Sequence, residues 1–327
     1  MIERLIEEIL KQKPDPLGVR KSTAEVVKKV RLVSINLNNL KKINTFIKKK
    51  IDAKEVLSLE QFGANNPTPQ LIFILDALNF CFWAKKNEEK WTVEYPKGNF
   101  VSNGWFALVN SIQRAIFEGL PILDASYLAN LKINEAKYIF RSATQIPIPL
   151  LNERVKILNE IGKILNKKYK GNIYNFLVKN GLDAERILPN LVKEFPSFGD
   201  YSFLGKKRIN FYKRAQIFVY DLSFLPELKI SNLGCLTVFA DYKIPQILRA
   251  FGVLEYTPLL AEKIDNYEIL PAGSREEIEI RSSTIWAGEL IAFFSNLFPA
   301  QVDNVLWKAS QSLPDINPYH RVLTTAY

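Results

Sequence analysis

Among the 327 residues there is one histidine, His320, and two cysteines, Cys81 and Cys235, so any chemistry rests chiefly on carboxylates, lysines and arginines set among aromatics. Five stretches put such groups together. In LTVFADYKIPQIL (residues 236–248) Asp241 is the single acid of a run that otherwise reads as core, between Phe239 and Tyr242. A carboxylate there is a helix cap, half of an ion pair, or a reactive group kept from water. Pro245, tolerated in a first helical turn, keeps the cap reading open. In LDALNFCFW (residues 75–83) Asp76 and Asn79 stand three apart and share one helical face with Phe80 and Trp83, as ligand contacts or as a satisfied buried pair. FYKRAQ (residues 211–216) opens an apolar helix with Lys213 and Arg214, cations that either face a site or reach out to water past their apolar stems. GSREEIEIR (residues 273–281) offers Glu279 and Arg281, although a capping box between Ser274 and Glu277 accounts for its start. PYHR sets His320 beside Arg321, a pair suited to an anion and equally to a plain surface tail.

Several familiar chemistries lack their residues. There is no G-x-G-x-x-G and no Walker A sequence to cradle a nucleotide cofactor, and no G-x-S-x-G elbow for a serine hydrolase. Without a C-x-x-C and with a single histidine, neither a zinc site nor a disulfide framework is expected; both cysteines sit among apolar neighbours, as small hydrophobes do. The net charge of +10 favours an anionic partner, nucleic acid or a phosphorylated small molecule, while lysines in KKINTFIKKK and NKKYK read as solvated helix faces.

The elements that position these groups are mostly helices. Residues 23–49 carry Val26, Val27, Val30, Leu37, Leu40 and Ile43 at three- and four-residue intervals, with Thr23 as N-cap. Residues 152–169 repeat the pattern after IPIPLL, and the stretches from Asn210 and from Ser274 onward read as helical too. Strand signals are few, WTVEY being one. Turns at NNPTP, IPIP and EFPSFGD are short enough to join helices inside one body. The expectation is one mainly α-helical domain over residues 1–327 with few or no strands, open to a division into two lobes around a cleft. No apolar run reaches the roughly 18 residues of a membrane span, and MIERLIEEILKQK lacks the apolar core of a secretory signal, so a cytoplasmic setting is expected.

Taken in order, FILDALNFCFW, ERVKILNEIGKIL, EFPSFGD, FYKRAQIFVYDL, LTVFADYKIPQILRAFGVLEY, GSREEIEIR and PYHR make the chain resemble the queuosine salvage protein family over residues 20–327. The resemblance implies a multi-helix fold like that of the helix-hairpin-helix DNA glycosylases. It implies hydrolysis of the N-glycosidic bond of queuosine 5'-monophosphate to queuine and ribose 5-phosphate. It implies Asp241 as the catalytic carboxylate with Lys213 near it. Relatives often place a base-contacting histidine about fifteen residues before the DALNF aspartate; here Gln61 or a neighbour occupies that region, so an amide takes the role if it survives.

The residues suit that reaction. Cleavage of a ribosyl C–N bond passes through an oxocarbenium-like state, which a fixed anion stabilises while orienting or deprotonating water. A 7-deazapurine lacks the ring nitrogen that purine glycosylases protonate, so hydrogen bonds to the pyrimidine edge, from Asp76 or Asn79, must ease its departure. Asp200 is the candidate for the secondary ammonium and cyclopentenediol of queuosine, and Phe198, Phe239 and Tyr242 for stacking on the base. Arg214, His320 and Arg321 are candidates for the 5'-phosphate. No metal and no organic cofactor is required. The partner expected is this small molecule, without a membrane or a stable nucleic-acid complex. The rivals are a DNA or RNA base glycosylase, although the L-P-G-V-G-like hairpin phrase is missing, and a non-enzymatic helical scaffold binding RNA or protein in which Asp241 is only a cap.

Overall fold

The computed structural model describes residues 2–63, 67–98, 101–313 and 316–327; Asn65 and Asn66 of the NNPTP turn lie outside them. The described residues form fifteen α-helices and eight strands of two to four residues, a mainly α fold. The strands pair only in twos, and two of the pairs join distant parts of the chain: Val33–Ile35 runs antiparallel to Leu254–Tyr256, and Ile269–Leu270 runs parallel to Arg321–Val322. Thr92–Glu94, within WTVEY, pairs with Val101–Asn103, and Tyr201–Leu204 forms a hairpin with Lys207–Asn210.

The helix expected over residues 23–49 is instead two helices, Val19–Val27 and Leu40–Asp52, with the strand Val33–Ile35 between them. Val33 and Ile35 turn inward on either side of exposed Ser34, an alternation of period two that the helical spacing of the flanks conceals. Thr23 is no cap: it is fully buried in mid-helix, donates to the Val19 carbonyl at 2.7 Å and accepts from Trp286 Nε1 at 3.1 Å. Leu151–Tyr169 forms as read, and Arg275–Ser295 starts at Ser274, whose hydroxyl accepts from the Glu277 N–H at 3.3 Å. Glu277 reaches back to the N–H of Gly273 at 2.5 Å, one residue before the cap.

Apolar burial falls into two clusters. One gathers around the helix Pro69–Ala77, buried on every side from Gln70 to Ala77, with Phe73 packed among Phe195, Phe198 and Phe218. The other joins Ile6, Ile9, Ile43 and Ile47 to Ile244, Ile247, Leu290, Val302 and Leu306. The helix Arg275–Ser295 runs through both, giving Ile278 and Ile285 to the first and Ile280, Trp286 and Leu290 to the second. Tyr242 and Trp307 pack against both clusters and mark the seam between them. Buried arginines tie down the connections by offering several donors to carbonyls that no helix or sheet satisfies. Arg20 donates to the carbonyls of Cys235 and Leu236 at 2.8 and 2.7 Å and pairs with Glu289 at 2.9 Å. Arg154 donates to the carbonyls of Leu78 and Phe80, both at 2.6 Å, and so holds the loop that carries Asn79.

Candidate active site

Three elements meet at the seam. The first is the helix Lys213–Leu222, which begins as Tyr212 takes a left-handed conformation with φ 51°. Lys213, Ile217, Tyr220 and Asp221, at offsets of 4, 7 and 8 residues, share one face and all line the same cavity. The helix start is fixed by Asp200, whose Oδ2 accepts from the Lys213 N–H at 2.9 Å. The second element is the extended run 236–241, which no sheet supports. Its backbone donors go to side chains instead: Thr237 N–H to Gln216 Oε1 at 2.8 Å and Phe239 N–H to Asp303 Oδ1 at 2.7 Å. Gly288 makes room for it, since a Cβ there would stand 2.3 Å from Val238 Cγ1. The third is the helix Pro299–Ser310, which supplies Asp303, Asn304 and Trp307.

Arg281 joins the first two elements. Its Nη1 and Nη2 donate to the two Asp200 oxygens at 2.8 and 2.7 Å, and its Nε donates to the Ala240 carbonyl at 2.9 Å. One guanidinium therefore sets the start of the Lys213 helix against the residue before Asp241, and planar two-point pairing fixes direction as well as distance.

Asp241 is both cap and open carboxylate. Oδ1 accepts from the N–H groups of Lys243 at 2.7 Å and Ile244 at 2.9 Å, capping the helix Lys243–Ala250, and this leaves Oδ2 for the cavity that Asp241 lines. Burial raises its pKa, resisted by Lys213 and by the two backbone donors. Lys213, 4% exposed, donates from Nζ to the Asn79 carbonyl at 3.0 Å; burial lowers its pKa, resisted by Asp241 and Asp76. Asp76 lies behind Lys213, fully buried, and burial pushes its carboxyl up to about 8. Asn79 falls just past the end of the helix Pro69–Ala77, its N–H directed at the Asp76 carbonyl at 3.3 Å.

Two cavities meet here, sharing Asn79, Trp105, Lys213, Asp241 and Trp307. One adds Gln61, Tyr220, Asp221, Phe239, Asp303 and Asn304, and its ionisable groups are mostly acidic. The other adds Lys90, Tyr242, Lys243, Gln311 and Tyr319 and is basic. Burial lowers the pKa of Lys243 to about 8; Lys90, although exposed, is also lowered, by partial desolvation and by the nearby Arg321 charge. Asp241 and Lys213 stand at the junction, between an acidic chamber and a basic one.

Of the residues singled out from sequence, Asp241, Lys213, Asn79, Phe239 and Tyr242 line these chambers, and Asp76 backs them. The others are placed elsewhere. Asp200 is taken by Arg281 and opens on a separate groove with Tyr201 and Gly273, not on the chambers. Phe198 is fully buried, stacked on Phe73 at 5.5 Å. Arg214, 1% exposed, gives its guanidinium to the carbonyls of Ala77 and Ser197. His320 faces Tyr327 Oη at 3.2 Å, and burial lowers its pKa to about 3, so it is a neutral ring. Arg321 donates to the carbonyls of Ala84 and Tyr319, both at 3.0 Å. Arg214, His320 and Arg321 give most of their polar atoms to protein groups and line neither chamber, although Arg214 Nε and His320 Nδ1 complete no hydrogen bond. Glu279 accepts from the N–H groups of Arg31 and Leu32 at 2.9 and 2.7 Å, which accounts for it structurally.

The chambers are also lined by Lys90, Trp105, Tyr220, Asp221, Lys243, Asp303, Asn304 and Trp307, which the sequence did not single out. Asp303 was findable by the criterion that picked Asp241, since it too is a single acid in an apolar run, PAQVDNVLW. Gln61, 8% exposed, does line the acidic chamber. Among the described residues no group of three or more His, Cys, Asp or Glu is placed to hold a metal ion, and no helix is long and apolar enough to cross a membrane.

Residues 59–327 match the family described as Queuosine salvage protein. The chain is 40% identical over 242 residues to a protein of Mus musculus, an alignment covering 73% of this chain and 71% of the mouse protein. It is 37% identical over 325 residues to a protein of Sphaerobacter thermophilus, covering 96% and 98% of the two chains, and 30% identical over 296 residues to one of Schizosaccharomyces pombe, covering 82% and 85%. All three relatives are named queuosine 5'-phosphate N-glycosylase/hydrolase.

Proposed function

The chain belongs to the queuosine salvage protein family, and from that premise we propose that it hydrolyses the N-glycosidic bond of queuosine 5'-monophosphate, releasing queuine and ribose 5-phosphate. The observation that carries the reading is a carboxylate, Asp241, standing where an acidic chamber meets a basic one. The substrate has the same polarity: a base bearing an ammonium at one end, a phosphate at the other, and the bond to be cut between them.

The base lies in the acidic chamber, with Phe239 and Tyr220 as apolar walls and Asn79 and Gln61 offering amide groups to its edge. The ribose spans the junction. Asp241 Oδ2 faces the anomeric carbon, stabilises positive charge as the C–N bond lengthens, and orients the water that adds to it. Because two backbone N–H groups and the Lys213 charge already fix the carboxylate, it needs no rearrangement as that charge develops. Lys213 orients Asp241 and, at the shared wall, reaches toward the departing base. The phosphate lies in the basic chamber, which Lys90 and Lys243 line and Arg214, His320 and Arg321 do not. The two free, buried cysteines fit a reducing compartment such as the cytoplasm. With the positive side chains of the site committed to one small anion, no stable nucleic-acid complex is expected.

The test is to incubate the protein with queuosine 5'-monophosphate and with queuosine, following free queuine by chromatography. Release of queuine supports the reading. Lys243→Ala should lower kcat/KM for the monophosphate roughly tenfold or more, as for a lost hydrogen bond to a charged group, with little change for the nucleoside. No release from either substrate, joined to salt-dependent binding of duplex DNA, would move the assignment to the nucleic-acid glycosylases.

A further inference from the structure

Tyr327 has no part in the chemistry assigned to Asp241, yet it is built into three pieces of the site. It is 1% exposed and lines the basic chamber together with Asn79, Lys213, Asp241 and Lys243. Its main-chain oxygen accepts from the Cys81 N–H at 2.9 Å, in the loop that presents the Asn79 carbonyl to Lys213 Nζ. Its ring centre lies 4.3 Å from the Arg281 guanidinium, and that of Phe211 lies 4.0 Å from the same group. Arg281 is the clamp that sets Asp200, and so the start of the Lys213 helix, against Ala240.

The ring is tied at its far end as well. Tyr327 Oη donates to Glu277 Oε1 at 3.0 Å, which uses its one proton, so His320 Nε2, at 3.2 Å, is the donor to Oη. Glu277 in turn accepts from the Gly273 N–H at 2.5 Å and stands 3.9 Å from Arg281 Nη1. A residue held at its main chain, at its hydroxyl and against a guanidinium cannot swing aside when a ligand fills the chamber. The same residue is therefore a wall of the chamber and one side of the stack on Arg281.

We propose that Tyr327 is a positioning residue that couples the basic chamber to the catalytic pair, so that a phosphate held in the chamber acts through Tyr327 and Arg281 on the placement of Lys213 and Asp241 and raises kcat as well as affinity. This rests on the reading that places the 5'-phosphate in the basic chamber. Binding made away from the reacting bond increases turnover only when it serves to orient groups at that bond. Misplacing such groups by about 1 Å costs roughly a hundredfold in rate. The parts needed are in contact. Phosphate and ribose filling the chamber confine Tyr327, Tyr327 and Phe211 confine the guanidinium, and the guanidinium reaches Asp200 on one side and the Ala240 carbonyl, next to Asp241, on the other. Two-point pairing with Asp200 passes on direction as well as distance.

The experiment is a cycle of two substrates, queuosine 5'-monophosphate and queuosine, against wild type, Tyr327→Leu and Tyr327→Phe. It measures kcat and KM for each pair and follows folding by circular dichroism and melting. We expect wild-type kcat to be higher for the monophosphate by about tenfold or more. Tyr327→Leu keeps the main-chain oxygen but removes the ring from Arg281, and should lower kcat for the monophosphate about tenfold more than kcat for queuosine, with KM for the monophosphate little changed. Tyr327→Phe keeps the ring but releases Glu277 and His320, and should lower the kcat ratio in the same direction by a smaller factor. Equal kcat for the two substrates in wild type overturns the proposal, since the phosphate then serves binding alone. A parallel fall in kcat on both substrates in Tyr327→Leu overturns it too, because that marks a structural role, and so does a rise in KM alone. Should Tyr327→Leu fail to fold, Tyr327→Phe decides, an unchanged kcat ratio overturning the proposal. Lys243→Ala without a selective effect on the monophosphate is the separate failure of the phosphate placement, and absence of turnover on both substrates that of the hydrolase reading.

Discussion

At the residue scale, Asp241 answers two of the readings its sequence left open, because its two oxygens divide the work. Oδ1 caps a helix and Oδ2 is left for the cavity. The raised pKa fixes a sign. Only the ionised carboxylate stabilises a cationic sugar, so kcat should fall as pH drops through a value above the ordinary aspartate range, and a pH profile of kcat whose acid limb sits near that of a free aspartate would contradict this. Lys243 acts at the other end. It holds its charge only below about pH 8, so kcat/KM for the monophosphate should decline above that pH while that for the nucleoside does not. An isolated acid in an apolar run was a legible signal, and it marks Asp303 as well as Asp241. The cations proposed for the phosphate were not legible, because Arg214, His320 and Arg321 look as suitable as Lys90 and Lys243 until packing shows that only the two lysines line the basic chamber.

At the element scale, the site depends on how firmly the Lys213 helix and the run 236–241 are held together. Arg281 holds both, through Asp200 and the Ala240 carbonyl. Asp200→Asn takes from the buried Arg281 its two-point ionic partner and leaves only Glu277, at 3.9 Å, at a cost of about 3–5 kcal/mol in denaturant unfolding. Because Asp200 touches no substrate in this account, the folded fraction should lose kcat more than it changes KM. An unchanged kcat would show that the clamp does not position Lys213. Gly288→Ala presses on Val238 and should destabilise by about 1–3 kcal/mol, again lowering kcat through Asp241 rather than through binding. The helices that carry these parts were readable where their apolar spacing was continuous, as at Leu151–Tyr169. The strand Val33–Ile35 was not, since three residues between two helical patterns supply too short a period-two signal, and its partner at Leu254–Tyr256 lies more than 200 residues away.

At the scale of the whole molecule, two apolar clusters meet along the helix Arg275–Ser295, and the chambers open where Tyr242 and Trp307 touch both. We read the chain as one domain with its site on that seam. A ligand bound across a seam couples the two clusters, so ribose 5-phosphate and queuine together should raise the melting temperature more than either alone, by mass action on the folded state. The net charge of +10 reads here as a field that draws a small phosphorylated anion toward the basic chamber. The mainly α class and the order of family motifs could be read from the sequence. The polarity of the site could not, because it arises from residues 61, 90, 221, 243 and 303, which only the fold brings together.

The central claim is that Asp241 supports the breaking of the glycosidic bond, and it is met most directly by comparing wild type with Asp241→Asn on queuosine 5'-monophosphate, measuring queuine release in single turnover. Asparagine retains an oxygen for the Lys243 and Ile244 N–H groups, so the helix cap and the fold should persist in circular dichroism and melting. The account predicts a rate lower by about a hundredfold to ten-thousandfold in a folded protein. A folded Asp241→Asn protein that releases queuine at near the wild-type rate would contradict it and leave Asp241 a helix cap alone.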